Sequence, residues 1–201
     1  MVNRRNFFAL ALAAALLPAV ASAQQPPLTA KHLNQLGPEN SLLAERAGVW
    51  DVVETIAGAP GAAPGAGTTT NKLVAERKMV GPFLQEIIRP ALGSAQVLRT
   101  DYLNFNRVEG RWKYVSMDTR VPVGIMSAAS YGTGDKSRID VTFEPFSSPD
   151  TGQLMQMNQV FVLQDANHDR KDQRFVVADG KGTTSSHHYV YTRRQAVAVA
   201  K

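Results

Sequence analysis

The chain has 201 residues, no cysteine and a formal net charge of +5 from 22 basic and 17 acidic side chains. Without cysteine it forms no disulfide bonds. The basic residues are scattered among acidic neighbours, as on a solvated mixed surface, so we predict no nucleic-acid partner. The length of the chain fits one globular domain.

The first 23 residues have the three parts of a signal peptide. A short basic start precedes an apolar run from Phe7 to Val20, and the small residues Ala21-Ser22-Ala23 form a cleavage site. As a helix this run measures about 21 Å, too short for the ~30 Å hydrocarbon core, so we expect no membrane span in the mature chain. Residues 1–23 are predicted to be cleaved, and the mature protein to be periplasmic or secreted. The Arg4-Arg5 pair also resembles a twin-arginine export signal, so the export route stays open.

Residues 24–40 are polar and contain prolines, which predicts a flexible arm. Ser41 is predicted to cap a short helix that ends at Ala47, just before a glycine. The rest of the chain is predicted to be a single β-barrel domain over residues 41–194, followed by a C-terminal tail over residues 195–201.

After the helix, short β-rich segments alternate with turn residues, and no long helical period lies between them. The sequence predicts about ten strands, at Trp50–Ile56, Lys72–Val80, Phe83–Arg89, Gln96–Asn106, Arg111–Asp118, Val123–Tyr131, Ser137–Phe143, Leu154–Leu163, Gln173–Ala178 and Thr184–Thr192. Short connections favour antiparallel neighbours, and closing the sheet removes its exposed edges. The predicted fold is all-β: a closed or nearly closed antiparallel up-and-down β-barrel, a form that commonly encloses space.

Gly48-Val49-Trp50 follows the predicted short helix and opens the first strand of the meander. This arrangement resembles the calycin group, which comprises lipocalins, fatty-acid-binding proteins and nitrobindin-like barrels. In lipocalins the tryptophan closes one end of the barrel, and a basic side chain from near the last strand packs across it. The resemblance implies that Trp50 closes the barrel here, with Arg193 or Arg194 stacked on its indole.

A longer stretch, from Leu42 to Thr192, resembles a family of bacterial exported proteins of unknown function with a calycin-like barrel. The residues that carry this resemblance are Gly48-Val49-Trp50, Gly81-Pro82-Phe83-Leu84, Asp101-Tyr102 and Arg111-Trp112-Lys113-Tyr114-Val115-Ser116-Met117-Asp118. The family implies a fold and brings no activity with it.

Aromatic and methionine residues recur at alternate strand positions, where they either build core or line an apolar cavity crossed by a few polar groups. The residues predicted to bind a ligand are Trp112, Tyr114, Asp118, Met126, Met157 and His187. The first hypothesis is therefore an exported binding or carrier protein for a small hydrophobic molecule.

His187 and His188 are adjacent, so on a strand their side chains point to opposite faces and cannot chelate one ion together. The resemblance to nitrobindin-like barrels, in which a late-strand histidine ligates haem iron, makes haem held by His187 or His188 an alternative; otherwise no cofactor is expected. The segment 165–172 opens like a calcium loop, but Arg170 stands where a glycine is required. We predict a polar hairpin loop there and no metal site.

Two other functional hypotheses stay open. An enzyme of isomerase or hydrolase type would use an interior histidine or acid, whereas a non-catalytic envelope accessory protein would act through its surface. The candidate interior acids are Asp101, Asp118 and Glu144, and their alternative role is an internal salt bridge with Arg99, Arg111 or Arg120. The sequence has no nucleophile elbow, phosphate loop or His-Glu-x-x-His motif to favour catalysis, and it leaves the ligand and the oligomeric state undetermined.

Overall fold

The computed structural model describes residues 29–33, 36–58, 67–121, 124–133, 137–148, 152–178 and 183–195. The predicted signal peptide, residues 1–23, lies outside these ranges, as does the predicted tail from residue 196 onward. Within the ranges, no helix combines the length and the apolarity that crossing a membrane requires.

Two short helices precede the sheet, α1 over Ala30–Leu33 and α2 over Pro38–Ala44. The strands that follow are β1 Gly48–Ala57, β2 Thr68–Val80, β3 Phe83–Pro90, β4 Arg99–Asn106, β5 Arg111–Asp118, β6 Ile125–Ala129, β7 Arg138–Phe143, β8 Phe146–Ser147, β9 Leu154–Leu163, β10 His168–Val177 and β11 Thr183–Arg193.

Ten of these strands close into a ring. Strands β1 to β7 pair in sequence order, β7 pairs with β9, and β9, β10, β11 and β1 complete the circuit, all antiparallel. The two-residue β8 pairs only with the beginning of β9. The predicted closed up-and-down barrel with a short preceding helix is confirmed, and closure leaves the ten strands of the ring without a free edge.

The helix before the barrel begins earlier than predicted. It starts at Pro38, a residue suited to the first helical position, and its N-cap is Gly37 instead of Ser41. The backbone N–H of Gly37 donates to Oδ1 of Asn40 at 2.9 Å, and Nδ2 of Asn40 donates to the carbonyl of Pro82 at 2.9 Å. Asn40 thus caps the helix and ties it to the β2–β3 turn, a tertiary contact that Ser41 does not make.

Strand β10 is the largest departure from the predicted strands, because it begins at His168 and not at Gln173. The sequence predicts a polar hairpin loop over residues 165–172, because this segment is rich in turn formers. Asp169 and Lys171 are instead buried at alternate positions that face the barrel interior. They remain compatible with a strand because opposite charges from other strands meet them there.

The barrel interior contains two apolar clusters. One includes Leu43 of α2 and residues of β3 to β9 such as Trp112 and Phe143, and the other is formed by β1, β2, β3 and β11 around Trp50 and Tyr191. Leu43 covers the end of the barrel below α2, where the helix contacts β2, β3 and β4. The opposite end, where β5 and β10 end and β6 and β11 begin, is the mouth of the barrel.

Candidate functional site

Eight charged side chains in the described ranges are no more than 7% exposed, and seven of them form one connected set, apart from Glu54. We call this set the buried charge network: Arg46, Arg77, Glu86, Arg99, Asp101, Asp169 and Lys171. It holds four cations and three anions within the part of the chain that the structure describes. Charges this deeply buried are costly unless each is paired, so their positions are tightly constrained.

Glu86 is the centre of this network. Its carboxylate accepts from Nε of Arg77 at 2.7 Å, from Nζ of Lys171 at 3.1 Å and from the hydroxyl of Tyr191 at 3.1 Å, and Nη2 of Arg99 lies 3.7 Å away. Burial alone raises the pKa of Glu86, but the charges of Lys171 and Arg77 outweigh it and hold the pKa well below its ordinary value. Glu86 is therefore an ionised acceptor.

The other two acids join the remaining cations. Asp169 accepts from Nη1 of Arg46 at 3.1 Å and from Nη1 of Arg77 at 2.6 Å. Asp101 lies 3.0 Å from Nε of Arg99 and accepts from Oγ of Ser116 at 2.7 Å. Of the open roles for Asp101, the structure shows the internal salt bridge.

Buried tyrosines surround the network, and their ionisation is suppressed. Burial raises the pKa of Tyr189 to about 12 and the pKa of Tyr114 and Tyr191 well above the ordinary value. The guanidinium carbon of Arg77 lies 4.2 Å from the ring centroid of Tyr191, and the ammonium of Lys171 lies 4.7 Å from that of Tyr189. The rings therefore also serve as partners for the buried cations.

We expect three of the five tyrosines, Tyr114, Tyr189 and Tyr191, to stay protonated in the folded protein well above pH 10. Because their pKa is raised on folding, their contribution to stability is constant below the ordinary tyrosine pKa of about 10 and falls as pH rises from there. Phenolate absorbance during an alkaline titration measures this. The matched control is the same titration in denaturant, where all five should ionise together; identical native and denatured curves would contradict the prediction.

The mouth of the barrel encloses a cavity of about 260 Å³. Its lining comes from both apolar and polar side chains: Ile56, Arg99, Ser116, Asp118, Arg120, Val121, Met126, Phe146, Met157, Gln173, Phe175, His187 and Tyr189. We call this space the mouth cavity. Arg99 belongs both to its lining and to the buried charge network, so the network forms part of the cavity floor.

A fully buried carboxylate, Glu54, lies next to two residues of the cavity lining, Arg120 and His187. It accepts from Nη1 of Arg120 at 3.0 Å and from Nδ2 of Asn71 at 2.9 Å, and its Oε1 is 3.7 Å from Nδ1 of His187. Burial alone raises the pKa of Glu54, but the interaction with the His187 ring and the charge of Arg120 outweigh it and hold the pKa well below its ordinary value. Glu54 is thus ionised beside His187.

The hydroxyl of Tyr189 connects the cavity to the network. Nη1 of Arg99 donates to it at 3.0 Å, it donates to Oε1 of Gln173 at 3.1 Å, and Nδ1 of His187 lies 3.3 Å away. Nε2 of Gln173 in turn donates to Oε1 of Gln159 at 2.6 Å. The polar floor is thus a chain of oriented hydrogen bonds with defined donors and acceptors.

Four of the six predicted ligand-binding residues meet at the mouth cavity. Asp118, Met126, Met157 and His187 line it, and Asp118 is paired with Arg120 at 2.8 Å. They lie near strand ends that the closed barrel brings to the same rim.

Trp112 and Tyr114 do not line this cavity. Trp112 is 1% exposed, packs edge to face against Phe105 and donates from Nε1 to the carbonyl of Thr133 at 2.9 Å. Tyr114 packs against Phe143 with ring centroids 5.6 Å apart. Both share the inward face of β5 with other core residues, but Trp112 lies about 20 Å along the strand from the mouth.

The two predicted barrel-closing residues are in contact at the other end of the barrel. The guanidinium carbon of Arg193 lies 4.4 Å from the ring centroid of Trp50, and Nη1 of Arg193 donates to the carbonyl of Ala47 at 2.6 Å. Arg194 instead pairs with Asp51 on the surface at 2.6 Å. Gly48 has a φ of +135°, which L side chains rarely adopt, and a Cβ there would lie 3.1 Å from Nη1 of Arg193, so the position favours glycine.

The remaining acids and histidines lie outside the cavity. Glu144 is exposed, and Arg111 pairs with Glu109 on the surface. His188 is on the outer face of β11, where its Nδ1 contacts the carboxylate of Asp172. No group of three histidine, aspartate or glutamate side chains in the described ranges is arranged to hold a metal ion.

The mouth cavity also bears on the haem alternative. Histidines that bind a metal commonly have their other ring nitrogen facing a carboxylate, and Nδ1 of His187 faces Glu54 at 3.7 Å. The cavity, at about 260 Å³, is smaller than the ~300–1,000 Å³ of sites for drug-sized ligands, so it would not enclose a macrocycle of haem's size. Haem ligation by His187 or His188 stays a prediction.

Sequence reasoning did not single out Glu54, Tyr189 or Gln173 as site residues. For Glu54 a signal was present: in β1 the buried positions alternate through Trp50, Val52 and Glu54, so a glutamate falls in an otherwise apolar inward series. Such a residue is a candidate for a paired interior charge.

Comparisons with known proteins identify the fold and no family. No family model and no curated protein matches the chain. Among solved structures, the crystal structure of Rv2717c from M. tuberculosis is similar with a TM-score of 0.52 and 16% identity, over 80% of this chain and 100% of that one. The S-type phycobiliprotein lyase CPES from Guillardia theta has a TM-score of 0.48 and 9% identity, over 83% of this chain and 98% of that one. The chain has a calycin-like barrel fold; membership of the exported family of unknown function stays a prediction.

Proposed function

We propose that this barrel binds a small amphipathic molecule in the mouth cavity. The observation that carries the proposal is the division of the cavity lining into an apolar wall and a polar floor of oriented hydrogen bonds. Small-molecule sites typically have this composition, with a few polar groups that orient the ligand.

The apolar wall supplies the binding energy in this proposal. Met126, Met157, Phe146 and Phe175 surround the space, and the rings of Phe146 and Phe175 are nearly perpendicular with centroids 6.5 Å apart. Burial of apolar ligand surface is favourable by about 25 cal/mol per Å². Flexible methionine side chains let such a wall adapt to ligands of different shape.

The polar floor is compatible with an uncharged ligand. Arg99 faces Asp101 at 3.0 Å, and Arg120 is shared between Asp118 at 2.8 Å and Glu54 at 3.0 Å. Both guanidinium groups therefore already have counter-charges, and a ligand need not supply one. The pairing of both guanidinium groups supports a mainly hydrophobic, uncharged ligand, and the polar floor favours one that has a polar group at one end.

The direct test is binding of N-phenyl-1-naphthylamine, a neutral dye that fluoresces in apolar surroundings. We expect the wild-type protein to bind it, and Met126→Trp to weaken binding about tenfold or more because the indole fills the cavity. The matched control is Ile125→Trp, which adds the same group one residue away on a side chain that is 71% exposed. Equal binding by the two variants, or no binding by the wild type, would contradict the proposal.

Export and carriage are part of the same proposal, on the basis of the predicted signal peptide. Native mass spectrometry of protein purified from the periplasm would detect a ligand that it carries in the cell. A bare polypeptide mass would count against the carrier role.

A further inference from the structure

We propose that the mouth cavity selects small hydroxylated aromatic molecules, whose hydroxyl group donates a hydrogen bond to Nε2 of His187. This inference rests on the proposed function and names the ligand class of the same site.

The first step is the position of the proton on the His187 ring. Nδ1 faces Oε1 of Glu54 at 3.7 Å and the hydroxyl of Tyr189 at 3.3 Å. An ionised carboxylate only accepts hydrogen bonds, and the Tyr189 hydroxyl directs its one proton to the acceptor oxygens of Gln173 and Glu54 while it accepts from Arg99. Both neighbours therefore present lone pairs, and Nδ1 carries the proton. In the neutral ring, Nε2 is then the acceptor.

The second step is the accessibility of that acceptor. Nε2 lies on the opposite side of the ring from Nδ1, and the His187 side chain is 22% exposed where it lines the cavity. In the ranges that the structure describes, no side chain or backbone group donates to Nε2. An acceptor that loses water without gaining a donor is costly, so an apolar ligand with no donor is penalised at this position.

The third step is the chemical type of the donor. The carboxylates near the cavity are already paired with Arg99 and Arg120, so an ammonium group would find no free counter-charge there. An ionised carboxylate has no proton to donate. A neutral hydroxyl has a proton to donate and carries no positive charge, so it is the donor that we expect.

The fourth step is the body of the ligand. The ring of Phe175 lies beside that of His187, with centroids 5.1 Å apart and an angle of 47° between the rings. Together with Phe146, Met126 and Met157 it forms a surface on which an aromatic ring packs favourably through its edge or face. The volume of about 260 Å³ favours one or two fused rings over a larger skeleton.

Two probes with the same ring system test this inference: 1-naphthol, which has a hydroxyl donor, and 1-methoxynaphthalene, in which a methyl group replaces the hydroxyl proton. We expect wild-type protein to bind 1-naphthol about tenfold more tightly, the effect of one buried hydrogen bond, as measured by calorimetry. His187→Phe should abolish this preference while 1-methoxynaphthalene still binds. The matched control, His188→Phe, changes the adjacent histidine on the outer face and should keep the preference.

The outcomes separate the inference from the function on which it rests. Equal affinity of the wild type for both probes would overturn the hydroxyl preference and leave ligand binding standing, whereas failure to bind either probe would overturn both. If His187→Phe does not fold, the tautomer of His187 in the wild type decides, because nitrogen NMR distinguishes the two forms. A neutral ring with its proton on Nδ1 supports the inference, and a proton on Nε2, in the neutral or the charged ring, overturns it.

Discussion

Replacement of Glu86 by Gln is expected to reduce the free energy of unfolding by about 3–5 kcal/mol, the cost of leaving buried charges without their partner. Glu86 is in contact with Arg77, Lys171 and Arg99, and it is 7% exposed. The substitution preserves shape but removes one of only three anions that face four cations. The loss should therefore exceed that of Lys171→Met, which leaves three cations facing three anions.

Urea denaturation followed by tryptophan fluorescence measures this difference. The matched control is Glu76→Gln on the barrel exterior, where the pair with Arg89 at 3.4 Å is partly exposed. Exposed pairs contribute less than about 1 kcal/mol, so this variant should behave like the wild type. A loss for Glu86→Gln no larger than that for Glu76→Gln would show that the network does not stabilise the barrel.

Trp50→Ala is expected to cost about 3–5 kcal/mol, as for other large aromatic residues removed from a core. The Trp50 side chain is fully buried, and its Nε1 donates to the carbonyl of Arg46 at 3.1 Å. The guanidinium carbons of Arg193 and Arg77 lie 4.4 Å and 4.8 Å from the indole ring centroid. The substitution removes the packing, the hydrogen bond and both cation–π contacts together.

A comparison of the adjacent residues Arg193 and Arg194 tests whether Arg193 closes this end of the barrel. Arg193→Met should destabilise the protein, since Arg193 also donates to the carbonyls of Ala47 and Ala166 at 2.6 Å and 2.8 Å. Arg194→Met removes only an exposed pair with Asp51 and should have little effect. Unfolding can be followed through Trp112, which every variant retains. Equal effects of the two substitutions would contradict a closing role for Arg193.

The two ends of the barrel differ in whether they leave space for a ligand. At the closed end, Trp50 and Arg193 fill the space with side chains that bond to the backbone of neighbouring loops. At the mouth, Arg99 and Tyr189 line the floor of the mouth cavity and do not fill it. The floor of a ligand site at the mouth is held in place by hydrogen bonds, because Tyr189 bonds to Gln173 and to Arg99, which belongs to the buried charge network.

Several elements could be predicted closely from local pattern. Strands β5 and β9 have the predicted bounds, since each is an alternating run that ends at turn residues. Met126, Met157, Asp118 and His187 all line the mouth cavity, and their role in binding a ligand stays a prediction.

The sequence by itself determined the alternation of each strand, the short connections between strands and the fold class, because these depend on residues that are close along the chain. It did not determine the first half of β10, where Asp169 and Lys171 have the composition of a loop, or the partnership of His187 with Glu54. Lys171 reaches Glu86 across a separation of 85 residues. Only closure of the barrel brings such residues together, and only that proximity makes it favourable to bury their charges, so the network, the orientation of His187 and the mouth cavity were decided by tertiary structure.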